Sequence, residues 1–122
     1  MKKTLLTLVL AVWTTITFSQ TLRSLTIGTR DNSSEKFTWT ETKMLEAPIL
    51  IKFNDNDITI YTDEMQYYQT LMPVYEVNGG SFWFAYDVDM NKCKFYMVES
   101  DDGSDFIMIE YDYVCIVYGI NY

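Results

Sequence analysis

Histidine is absent from the 122 residues, and arginine is nearly so, occurring only as Arg23 and Arg30. Without an imidazole there is no histidine general base, no nucleophilic triad of the usual kind, no histidine-ligated haem and few zinc sites. Cysteine is limited to Cys93 and Cys115, too few to hold zinc or an iron–sulfur cluster by thiolates alone. Basic runs are missing too, against 17 acidic residues and a net charge of −8. A chain this acidic repels phosphate backbones, which excludes nucleic acid as a partner, and it disfavours anionic membrane surfaces. There are no internal repeats, low-complexity tracts or linkers.

What is present starts with an export signal. Lys2 and Lys3 lead into the apolar run Leu5-Leu6-Thr7-Leu8-Val9-Leu10-Ala11-Val12-Trp13, and Thr17-Phe18-Ser19 places small residues where a signal peptidase reads. That pattern is a secretory signal peptide over residues 1–19, leaving one domain over 20–122. Its Lys-Lys start and Phe-Ser-Gln ending resemble the signal peptides of bacterial exported proteins. The apolar core is shorter than the roughly 20 residues a bilayer span requires, so no membrane span is expected. The expected location is the periplasm or the extracellular space. Removing the two leader lysines and no acid takes the net charge from −8 to −10.

The remainder reads as strands. Ile49, Ile51 and Phe53 alternate with Leu50 and Lys52; after Asn54-Asp55-Asn56-Asp57, Ile58 and Ile60 alternate with Thr59 and Tyr61. Period-two alternation about a polar turn describes a hairpin with one buried face. Leu25 and Ile27 suggest an opening strand, and Phe37 and Trp39 another. Asp63–Met72 carries a helix-like capping pair, Asp63 and Gln66, but its adjacent tyrosines, Thr70 and nearby Pro73 favour a strand over Tyr67–Leu71. Pro73 then marks an edge or a bulge, since it cannot donate to a ladder. Strands over 81–89, 92–99, 105–111 and 113–119 follow, separated by turn residues. The expected fold is all-β: a small antiparallel meander forming a barrel or curled sandwich of about seven to nine strands.

Candidate chemistry is sparse. Asp87-Val88-Asp89-Met90-Asn91 begins like a calcium loop, but Lys92 stands where glycine is needed and Val98 where a bidentate glutamate belongs. Glu99, Asp101, Asp102 and Asp105 form a denser acidic cluster that suits either a hard cation or an ordinary solvated turn. Carboxylate pairs are the remaining route to acid–base work, and Asp87 and Asp89 fall on one face of a strand, which leaves a carboxylate-based hydrolase as a remote reading. No cofactor is expected. A Cys93–Cys115 disulfide is conceivable in an oxidising compartment. In a simple meander, though, another strand separates the two, putting them at least ~9.6 Å apart against the ~7 Å a disulfide spans. Free thiols are favoured.

The positive signal is aromatic. Tyrosine occurs ten times, phenylalanine seven and tryptophan three. Phe82-Trp83-Phe84 puts rings on both faces of one strand, Tyr61 opposes Ile58 and Ile60, and Tyr96 shares a face with Lys94. The leading expectation is a non-enzymatic exported binding protein that uses an aromatic sheet face, through Tyr61, Trp83, Tyr96 and Tyr118, against a protein or glycan. The alternative is a barrel that encloses a small apolar ligand, as lipocalin-like carriers do, with methionines lining an adaptable interior. The two differ in whether side chains fill the interior or leave a cavity of a few hundred cubic ångströms.

Overall fold

A computed structural model describes residues 18–31, 35–101, 103 and 105–120, the side chain of Phe18 excepted. Residues 1–17 of the expected signal lie outside the described residues. Nine strands follow one another: β1 (Phe18–Thr29), β2 (Thr38–Trp39), β3 (Lys43–Phe53), β4 (Asp57–Ile60), β5 (Gln66–Val77), β6 (Gly80–Asp87), β7 (Lys92–Val98), β8 (Phe106–Glu110) and β9 (Val114–Ile120). Among the described residues there is no helix. Every pairing is antiparallel, and β1 also pairs with β9, so β1 and β3–β9 close into an eight-stranded barrel with β2 as an extra strand. Of the barrel and the curled sandwich expected from the alternation, the chain forms the barrel.

One long strand makes closure work. Phe18–Leu22 of β1 pairs with Ile49–Phe53 of β3, while Leu22–Thr29 pairs with Val114–Ile120 of β9. The register shifts between Leu22 and Ser24, leaving Arg23 bulged at the handover; bulges of this kind add local twist and curvature to a sheet. The sequence marks the opening strand only at Leu25 and Ile27. Its first half carries the polar run Ser19-Gln20-Thr21 between Phe18 and Leu22, too little apolar alternation to announce a strand, and β3 pairs with it.

At Asp63–Met72 the strand reading holds: β5 runs from Gln66, and Ile58 and Tyr68 pair across the β4–β5 hairpin. Pro73 falls in the register shift between Leu71 and Tyr75, where β5 is not laddered to β6. Pro48 falls at a second unladdered place. The N–H of Tyr61 donates to the carbonyl of Leu50, so even-numbered residues of β3 turn their amides toward β4. The ladder between them covers only Ile51–Phe53, leaving Pro48 on an open edge where a missing N–H costs nothing.

The interior is filled. Leu22, Ile51, Ile58, Ile60, Trp83, Phe95, Ile107 and Ile109 have no exposed surface. Trp83 stacks on Phe95 with centroids 5.7 Å apart, Phe53 meets Trp83 edge-on at 6.2 Å, and Tyr68 meets Phe95 edge-on at 5.0 Å. Eight strands is the barrel size that side chains can just fill, and here large aromatics fill it. Each buried aliphatic or aromatic side chain contributes about 1.5–3 kcal/mol.

The cysteines obey the meander. β8 lies between β7 and β9, and Cys93 shares the inner face with Ala85 whereas Cys115 pairs with outward Glu110. Both are buried free thiols.

A candidate binding surface on the outer wall

The four expected contact residues do not form one face. Trp83 and Tyr118 point into the barrel, at 0% and 4% exposure, so the expectation that they contact a partner is corrected: alternation puts Trp83 opposite Phe82 and Phe84, and Tyr118 pairs with inward Ile107. Tyr61 and Tyr96 both lie outside, but beside β4 and on β7 respectively, separated around the wall by β5 and β6. Lys52 Nζ sits 6.0 Å from the Tyr61 ring.

What gathers on the outside is a strip the sequence only half revealed. Phe82 and Phe84 of β6 pair with Tyr96 and Lys94 of β7, and Tyr75 of β5 pairs with Phe82. Tyr75 stacks on Phe82 at 4.9 Å, while Phe84 and Tyr96 flank Phe82 at 6.2 and 6.1 Å. Lys94 Nζ lies 4.2 Å from the Phe82 centroid, 4.8 Å from Tyr96 and 5.9 Å from Phe84. Lys92 Nζ lies 4.7 Å from Phe84. Neither lysine forms an ion pair among the described residues; ring faces hold both ammonium groups instead, each contact adding about 0.5–1 kcal/mol at an exposed site. The neighbour relation of Tyr96 and Lys94 was legible. Tyr75 was not, because the two-residue register shift around Pro73 decides what it faces.

The strip runs into an open groove of about 930 Å³ lined by Phe84, Lys92, Lys94, Glu110, Tyr113 and Val114 among others. Arg30 braces two of its lining residues, Asp112 and Glu110. Its Nε donates to the Asp112 carbonyl at 2.7 Å and its Nη1 to the Glu35 carbonyl at 3.2 Å. The guanidinium also lies 4.3 Å from the Phe37 ring and 4.0 Å from the Glu110 carboxylate. These contacts tie Glu35 and Phe37 to the β8–β9 turn, and Cys115 lies beneath, where burial pushes its thiol up to about 12.

The carboxylates have structural work. β6 ends at Asp87, so Asp89 sits on the turn and the expected strand-face pair does not form. Asp87 Oδ1 accepts the N–H groups of Asp89 and Asn91 at 3.0 and 2.9 Å, and Oδ2 accepts the Tyr111 hydroxyl at 2.9 Å. Partial burial raises its carboxyl, but these donors outweigh burial and hold it below the ordinary value. Burial pushes the Cys93 thiol up to about 12, and it raises Tyr68, Tyr111 and Tyr118 as well. Gln66 joins two of these rings, accepting from the Tyr68 hydroxyl at 2.6 Å and contacting the Tyr118 hydroxyl at 3.2 Å.

Of the acidic turn cluster, Asp102 lies outside the described residues. Asp105 is buried and accepts the Ser100 N–H at 3.2 Å. Among the described residues no three histidine, cysteine or carboxylate groups gather as a metal site, and none forms a helix long and apolar enough to cross a membrane. Comparison with known proteins finds no matching family model, no matching curated protein and no matching solved structure.

Proposed function

We propose that this chain is an exported binding protein without enzymatic activity, engaging a protein or glycan partner through the outer wall of β5–β7. The observation that carries the reading is the strip itself. Phe82, Phe84 and Tyr96 hold two ammonium groups, with Tyr75 stacked on Phe82, on the outside of a barrel whose core is built without them. Rings with polar handles supply large contact area at little entropic cost, and interfaces are enriched in them. Tyr61 is a separate outer contact. The Lys2-Lys3 leader supports export, and the hydrogen-bonded Asp87 supports a structural use of carboxylates.

The test is a native mass spectrum of the protein purified from the exported fraction, compared with Phe82→Ser/Phe84→Ser/Tyr96→Ser. A partner carried by the wild type and lost from the variant supports the reading; a partner retained by the variant overturns it. A second reading, a small-ligand carrier, draws support from the closed eight-stranded wall and from the buried Thr70 and Ser81 hydroxyls, which have no hydrogen-bond partner among the described residues. It ranks second because Trp83, Phe95 and Phe53 occupy the interior such a ligand would need. A small molecule that co-purifies and survives the triple substitution would put the carrier first.

A further inference from the structure

The outer wall of β7 and β8 is complementary to itself. Its outward cross-strand pairs are Lys94 with Glu110, Tyr96 with Met108, and Val98 with Phe106. Each pair joins unlike but matching groups: opposite charges, a ring with a thioether, and a branched aliphatic with a ring. We propose that this face is the interface of a two-fold dimer of this chain, an inference that rests on the outer wall being the working surface.

The geometry is simple. In an isologous contact one patch meets its own copy. A two-fold axis lying between the molecules, parallel to the strands and midway between β7 and β8, lays β7 of one copy over β8 of the other at equal height. Lys94 then meets Glu110 of the second copy, Tyr96 meets Met108, Val98 meets Phe106, and every contact occurs twice. Lys94 is available for this because its ammonium rests on rings and pairs with no carboxylate among the described residues. The net charge of −8 on the full chain, −10 once the two leader lysines are removed, opposes association at long range, but screening beyond about 8 Å at physiological salt confines that effect. Two convex barrel walls touch along a narrow strip, which places the dimer in the small-interface, transient class below about 1,200 Å².

Sedimentation velocity on the exported chain, from roughly 10 µM to 1 mM to span the transient class, tests this with a charge swap. The wild type is expected to pass reversibly from monomer to dimer. Lys94→Glu and Glu110→Lys each create like-charge contacts and weaken the dimer at least about tenfold. Mixed one to one, they regain it, because each swapped face now opposes its complement. Circular dichroism confirms folding; after Glu110→Lys, Arg30 keeps its bonds to the Asp112 and Glu35 carbonyls. A wild type monomeric throughout, a dimer indifferent to Lys94→Glu, or a mixture that stays monomeric overturns the proposal. If the dimer fails while the triple-serine variant still loses another partner, the outer-wall reading stands without it.

Discussion

Trp83→Ala is the sharpest probe of which aromatic does what. Trp83 has no exposed surface, stacks on Phe95 at 5.7 Å and receives Phe53 edge-on at 6.2 Å. Truncation removes the indole from the barrel interior, where the ladder of β6 to β7 and the closed wall limit collapse. Tryptophan-to-alanine changes in such sites cost about 3–5 kcal/mol, out of the roughly 5–15 kcal/mol that holds a domain of this size. At 4–8 °C per kcal/mol, the melting temperature should fall by roughly 12–40 °C. Thermal and urea unfolding followed by far-UV circular dichroism measure both numbers. Tyr96→Ser, on the adjacent strand but outside, should cost no more than about 1 kcal/mol. If Trp83→Ala costs less than Tyr96→Ser, the inward and outward assignments of β6 and β7 are wrong, and with them the separation of core from binding strip.

Gly80 and Gly28 should differ in their tolerance of a methyl group. A Cβ on Gly80 runs into the backbone carbonyl of Met97, whereas one on Gly28 meets the movable Trp39 ring at 2.8 Å. Gly80→Ala should therefore lose about 1–3 kcal/mol in urea unfolding, and Gly28→Ala less. In base, Cys93, Cys115, Tyr68, Tyr111 and Tyr118 all have folded pKa values raised by burial above the ordinary 9.0 and 10.0. Their stabilising contribution is complete below those values and is lost as pH rises beyond them, so the urea midpoint should fall between pH 8 and pH 11; a midpoint that rises contradicts the burial. On the acid side, Asp87 sits below 3.8, so its contribution is present above that value and disappears as pH falls through the lower folded one. Asp87→Asn should flatten that part of the acid limb. Both thiols, held protonated up to about 12, should react with Ellman's reagent at pH 8 only as fast as the protein opens, and fully in urea.

Much of the fold was legible because alternation, turn residues and Pro73 are local signals. The isoleucine hairpin at 49–60, Pro73 in a bulge and the separation of the cysteines by a strand all follow from period-two reading. The polar first half of β1 was not legible, since Thr21, Gln20 and Ser19 form a strand only when β3 supplies the ladder. The site was legible in kind but not in address. Sequence identified an aromatic-rich chain and gave Tyr96 and Lys94 a common face, yet Trp83 and Tyr118 went inward. Choosing which face of an all-apolar strand is inside requires the register of its neighbours. Here it is Ala85 opposite Cys93, and Ile107 opposite Tyr118, that settle it.

The central claim, that the outer wall of β5–β8 is the working surface, is tested most directly by hydroxyl-radical footprinting. The protein as it leaves the exported fraction would be compared with the same protein diluted to a free monomer. The account predicts protection of Tyr75, Phe82, Phe84, Tyr96 and Met108, with Tyr67 and Trp39 unchanged. Protection centred on Tyr67 or Trp39, or no protection of the strip, would contradict it.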